Sequence, residues 1–308
     1  MYHSSFRFSA QAQTTPILKM NPDKNKVYRL KSVSEQTVTQ TINGIQQTTE
    51  SKVLYTLSLK MIDATDDFMI TEVRFDTLIT NTNAMGKAVT YSSANEGDIR
   101  SAETADVLSC IMNRLSKNAL YVKMDFTGKP FEIVNLKMLS DMVLKDTSSI
   151  TLTGQMAAAV KKQIINSVSD NDLKTMIEMF TWNLPGKQVS PGDSWNVTKQ
   201  MNSGGMMLDI ITTYHLDGID GNNVNITAES NIKATENAVP IESGVAKVTY
   251  DDLKGLSKSS MVVDIRTGLI VESKGKTHIA GNLGITGPGF SMQMPMDING
   301  ESHIVALQ

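Results

Sequence analysis

Four histidines, one cysteine and a few glycine-rich phrases are the residues of this chain whose types could do chemistry. His3, His215, His278 and His303 stand at no metal-ligand spacing from one another, and none belongs to a Glu-x-x-His pairing, so they read as structural or surface residues. Cys110 falls between Leu108 and Ile111 on the apolar side of a predicted helix, where a thiol behaves as a small hydrophobe. No activating partner stands beside it, which argues against a nucleophile. Gly275-Lys276-Thr277 ends like a phosphate-binding loop, yet Ile270 occupies the place of the first glycine and the segment continues a strand. Gly281, Gly284, Gly287 and Gly289 fail as a dinucleotide fingerprint, because Pro288 and the Met-rich strand after it forbid the receiving helix. They are expected to form a flexible connection. There is no Gly-x-Ser-x-Gly elbow. Asp217, Asp220, Asn222 and Asn223 could offer oxygen to calcium, but their spacing departs from the twelve-residue loop and suits a tight turn. No catalytic residue, metal site or cofactor is assigned, and an enzyme is not expected.

Composition narrows the partners. With 29 basic and 32 acidic residues the net charge is −3 and no basic run occurs, so nucleic acid is not an expected partner. A single cysteine rules out an internal disulfide and a multi-cysteine metal site, and its position offers no lipid-anchoring cysteine near residue 1. No window approaches the ~18 apolar residues of a membrane-spanning helix. Ala10-Gln11-Ala12 has the form of a signal-peptidase site without an apolar stretch before it, so residues 1–16 read as an export-signal remnant or a disordered terminus.

The elements that would have to position any site are mainly strands. Asn43-Gly44 announces a two-residue hairpin turn in which paired residue numbers must sum to 87. Val53, Tyr55, Leu57, Leu59 and Met61 alternate with polar residues, and their partners Tyr28 and Leu30 lie on one face of the strand from Val27 to Ile42. Met69, Val73, Phe75 and Ile79 predict a third strand. Leu108, Ile111, Met112 and Leu115 then change to the helical period. A hairpin turning at Thr127-Gly128 and helices over 136–145, 155–168 and 170–181 follow, the last with a capping-box pattern at Ser169 and Asp172. Strands return at Trp195. A long hairpin turns in the loop from Asp217 to Gly221, another turns at Arg266-Thr267-Gly268, and Met292, Met294, Met296 and Ile298 end the chain in strict alternation.

These elements predict an α+β fold, a large curved antiparallel sheet with a central set of helices packed on one face. One β-rich domain over 17–308 is expected, made of halves 17–135 and 186–308 around a helical insert 136–185. The halves share an order, an aromatic-led strand, a long hairpin and an Asp-led strand turning at Thr-Gly. That order fits an internal duplication, and it fits equally the ordinary repetition of antiparallel meanders.

Val27-Tyr28, Asp125-Phe126-Thr127-Gly128-Lys129, Pro185-Gly186-Lys187, Gly192-Asp193-Ser194-Trp195 and the stretch Asp264 to Leu269 resemble an uncharacterised family of exported proteins and lipoproteins of Gram-negative bacteria. The element order is also similar to the lipoprotein-carrier fold, in which a curved sheet wraps helices and holds acyl chains between them. The resemblance implies a periplasmic, outer-membrane-associated or secreted protein with no activity to carry over. With 19 methionines as adaptable apolar filler, the expectation is a non-enzymatic protein binding a hydrophobic ligand, lipid or acyl chain, between sheet and helices. Its candidate lining is Leu57, Leu59, Val73, Leu108, Met112, Met176, Phe180, Leu208 and Ile210. The alternative is a structural or interaction module at the cell surface that binds protein or glycan.

Overall fold

The computed structural model describes residues 15–307 apart from 43, 154–156, 204, 244 and 251. The expectations for the N-terminal segment, for Asn43 and for Gln155 therefore lie at least partly outside the described residues. In chain order, β1 (Ile17–Leu18) precedes the long strands β2 (Val27–Ile42), β3 (Ile45–Ala64) and β4 (Met69–Ala84), and then β5 (Lys87–Ser92). Helix α1 (Thr104–Ser116) leads to β6 (Leu120–Met124) and β7 (Pro130–Ile133), followed by α2 (Leu136–Val143), α3 (Ala157–Asn166) and α4 (Asp170–Thr181). Next come β8 (Lys187–Gln188), β9 (Ser194–Ser203), β10 (Met206–Asp220), β11 (Asn223–Ala234), β12 (Ile241–Ser243) and β13 (Ala246–Thr249). Strands β14 (Lys254–Asp264), β15 (Leu269–Gly287) and β16 (Phe290–Leu307) complete the described chain.

Fourteen of these strands form one antiparallel sheet whose main path is β7-β6-β4-β3-β2-β16-β15-β14-β11-β10-β9. It does not close, and β7 and β9 are its ends. The opening hairpin has the predicted register at every pair from Val27–Lys60 to Ile42–Ile45, which sets Leu30 against Leu57 and Tyr28 against Leu59. Gly44 takes φ +77°, the left-handed value its turn requires.

Three expectations are corrected. In β4 the register shifts opposite Thr56 and Leu57, so the chain skips Asp76, and Leu78 and Thr80 turn inward where Ile79 was expected. Asp217 is not in a loop: β10 continues to Asp220 and meets β11 directly, with a bulge between Leu216 and Gly218. The expected flexible link from Gly281 to Gly289 is instead the second half of β15 as far as Gly287, paired residue by residue with β16, and the turn into β16. Its glycines serve close packing, since a Cβ on Gly281 would stand 2.5 Å from the Asp252 carbonyl oxygen.

Two apolar clusters lie along the sheet. The larger joins Leu30, Leu57, Phe75, Val107, Leu173, Ile177, Tyr214 and Leu216. The smaller joins Met206, Leu208, Ile232, Tyr250, Leu283, Met294 and Met296. Strands rising ~3.4 Å per residue explain the separation, because β10 is long enough for its two ends to serve different cores.

Candidate functional site

The residues nominated from the sequence divide between these clusters. Leu57, Leu59, Val73 and Phe180 are buried in the larger one, with Leu108, Met112 and Met176 part-buried against it. Leu208 and Ile210 belong to the smaller cluster instead, eight and six residues along β10 from Leu216. They occupy the predicted face but the other end of the strand. Leu57 and Val73 are 0% exposed, so no void large enough for a water molecule touches either side chain.

A polar recess of about 510 Å³ lies where α4 meets the end of the sheet. Helix α4 begins at Ser169, whose hydroxyl accepts a hydrogen bond from the Asp172 amide at 3.2 Å. Leu173, Ile177 and Phe180 face the core at helical spacing. Asn171, Thr175, Glu178 and Trp182 follow the same spacing on the opposite side and line the recess. Beside them, Gln200 of β9, Asp209 of β10 and Lys233 of β11 form one cross-strand row on the outward face of the sheet, the face opposite to that of Lys199. Lys129, from the turn between β6 and β7, completes the wall.

Asn183 fixes the geometry. This buried residue accepts from the Trp195 indole N–H on its backbone oxygen at 3.0 Å, and from the Tyr214 hydroxyl on Oδ1 at 2.8 Å. The Trp195 and Tyr214 rings stack with centroids 5.5 Å apart. Lys199 Nζ donates to the Glu178 carbonyl oxygen at 3.2 Å and to Asn183 Oδ1 at 3.5 Å. The Trp182 ring has the Lys129 ammonium 4.4 Å and the Lys199 ammonium 5.5 Å from its centroid.

Burial pushes the Lys199 ammonium down to about 8, against the opposing pull of Glu178. Burial likewise raises the Glu178 carboxyl, although Lys199, Lys129 and Lys174 all favour its charged form. Asp209 Oδ1 accepts from Gln200 Nε2 and from Thr235 Oγ1, each at 2.9 Å. A cleft holding an acid and a base displaced from their ordinary values is a functional-site candidate. Sequence reading missed it, although one signal was present: Trp195, Val197 and Lys199 alternate along β9, so Lys199 continues an inward-facing row.

Elsewhere the histidines make ordinary cross-strand contacts. His215 Nδ1 is 2.7 Å from Ser194 Oγ, His278 pairs with Asp297 and His303 with Glu272, all on exposed positions. Among the described residues there is no cluster of three metal-ligating side chains, and no helix is long and apolar enough to cross a membrane.

Residues 66–270 match the model of a family of unknown function (DUF6263). No curated protein matches the chain. Among solved structures, an outer membrane channel from Pseudomonas putida F1 is 7% identical, with 97% of this chain and 100% of that chain covered at a TM-score of 0.26. OccK11 (OpdR) of Pseudomonas aeruginosa is 5% identical over 93% of this chain and 99% of that chain, with a TM-score of 0.23. A DUF1329 family protein from Desulfovibrio piger ATCC 29098 is 9% identical over 88% of this chain and 83% of that chain, with a TM-score of 0.13. Overlaps of this size carry no argument about fold or role.

Proposed function

The chain belongs to the DUF6263 family of unknown function, and from that footing we propose that it is a binding protein whose recess around Trp182 holds a polar, sugar-like ligand. The observation that carries this reading is one indole set in the wall of a cavity of about 510 Å³ otherwise lined mainly by amides, hydroxyls, carboxyls and ammoniums. A sugar ring offers an apolar C–H face to an aromatic side chain and a rim of hydroxyls to polar ones, and pockets of ~300–1,000 Å³ suit ligands of that size. The test is titration of the purified protein with mono- and disaccharides, followed by calorimetry and by indole fluorescence. Binding weakened at least tenfold by Trp182→Ala supports the reading. A wild-type protein that binds none of them, or a Trp182→Ala variant that binds as well, overturns it.

A second reading is an acyl-chain ligand between sheet and helices, against Leu57, Leu59, Val73 and Phe180. Its support is the soft surround of that cluster, with Leu108, Met112 and Met176 part-buried and Met138, Met142 and Met179 exposed on the helices. It requires side chains to move aside, and mass spectrometry of solvent-extracted protein tests it: no co-purifying lipid sinks it. For either ligand the setting in this proposal is the Gram-negative cell envelope, which the turn-and-strand phrases suggest, with the helices covering one face of the sheet in a carrier-like manner. Descent of the two halves from one ancestral half belongs to the same proposal. In its support, Asp125 and Asp264 each accept a backbone N–H from two residues on, and each turn closes with a glycine N–H on that aspartate's carbonyl. Both turns also grip one segment, Phe126 through the Met20 amide and Thr267 through the Asn21 amide.

A further inference from the structure

Resting on the sugar-like reading, we infer that the ligand of the Trp182 recess is anionic, a saccharide bearing a carboxylate or sulfate that Lys129, Lys199 and Lys233 receive. Five charged side chains line the cavity, three lysines with Glu178 and Asp209. The three ammoniums outnumber the two carboxyls. Asp209 is already engaged, accepting from Gln200 and Thr235 through one oxygen. Burial raises the Glu178 carboxyl, and Lys199, Lys129 and Lys174 pull it back toward its charged form. Among the described residues no carboxylate lies within 4 Å of the ammonium of Lys129, Lys199 or Lys233, so none of the three is spent in an ion pair. Each ammonium carries three donors.

The three lysines have distinct parts. Lys199 answers the negative end of α4 through the Glu178 carbonyl and is held by Asn183, so it is a fixed positive charge at the base of the site. Lys129 and Lys233 are exposed at the rim, where an incoming anion replaces water rather than another protein group. The Trp182 ring, with the Lys129 ammonium 4.4 Å and the Lys199 ammonium 5.5 Å from its centroid, supplies the apolar platform. An acidic sugar ring satisfies platform and charges together, whereas a neutral sugar brings the ammoniums no counter-charge.

The experiment compares galacturonate, galactose 6-sulfate and galactose by calorimetry on the full chain, with Lys129→Gln and Lys233→Gln variants beside the wild type. Both lysines are exposed, so the variants keep the fold, which circular dichroism checks. The expected result is that the acidic sugars bind at least tenfold more tightly than galactose and that either variant reduces that ratio. Raising salt from ~0.05 to ~0.5 M is expected to weaken the acidic sugars alone. Raising pH from 7 to 9 also weakens them alone, as Lys199, faced by Glu178 from α4, Lys129 from the β6–β7 turn, and Asp209 and Lys233 from β10 and β11, loses its proton near 8. Equal binding of galactose and the acidic sugars overturns the anionic inference and leaves the sugar reading standing. Binding of none overturns both.

Discussion

Asn183 is the residue on which the recess turns, because this one buried residue holds Trp195 through its backbone oxygen and Tyr214 and Lys199 through its side-chain oxygen. Asn183→Leu removes the acceptor of the Tyr214 hydroxyl and leaves that donor buried, a loss of about 1–3 kcal/mol by urea unfolding. Tyr214→Phe in the same background is expected to return part of that loss, since the stranded hydroxyl is gone, and a double-mutant cycle measures the coupling. Lys199 gives the pH dependence. Its charged form is disfavoured in the fold, so between about 8 and its ordinary 10.5 the unfolded chain binds more protons and stability rises with pH. Lys26 and Lys276, whose ammoniums are raised by Asp23 and Glu301, contribute the opposite slope only above about 10.5. The clean observable is therefore the difference: wild type is expected to gain more stability than Lys199→Met between pH 7.5 and 9.5, and equal gains exclude a depressed Lys199. At this scale the sequence is a poor guide. Trp182 ends an amphipathic helix and Lys199 ends an inward row, but nothing local indicates that the two ends meet.

Elements were far more legible. The Asn-Gly turn and the period-two pattern both constrain one register in the opening hairpin, and the pairs from Val27 to Ile42 obey it without a shift. Pattern reading failed where one residue is inserted, because a bulge exchanges inward and outward positions, as Leu78 and Thr80 do in β4. It failed again at Gly281 and Gly284, where glycine marks tight approach by Asp252 and Thr249 rather than a loop. Glycine therefore has two costs of replacement. Gly44→Ala meets nothing within 4 Å and loses about 1–2 kcal/mol for its left-handed backbone. Gly128→Ala, at φ +88°, adds a Cβ 2.1 Å from the Thr181 carbonyl oxygen and must push α4 off the β6–β7 turn, so we expect a loss of ~3 kcal/mol or more. Denaturant midpoints that fall equally for both variants would show that this junction yields freely.

Across the whole molecule, the pairing of β2 with β16 joins the first long strand to the last and makes one sheet of both halves. Such a pairing spans most of the chain and leaves no local trace, which is why alternation predicted strands without predicting their neighbours. The same topology makes β9 an end of the sheet, paired among the described residues only with β10, and the recess forms where α4 lies beside that end. End strands and helix ends open most readily, so ligand binding there should register as local protection. Hydrogen exchange is expected to slow at amides of 178–183 and 195–200 when a recess ligand is added, while the hairpin from Val33 to Ser51 is unchanged. An acyl chain between sheet and helices would instead protect α1 and the facing stretches of β3 and β4, around Leu57 and Val73. The two patterns do not overlap along the chain, so one exchange experiment with each ligand class separates a recess at the end of the sheet from a cleft at its centre.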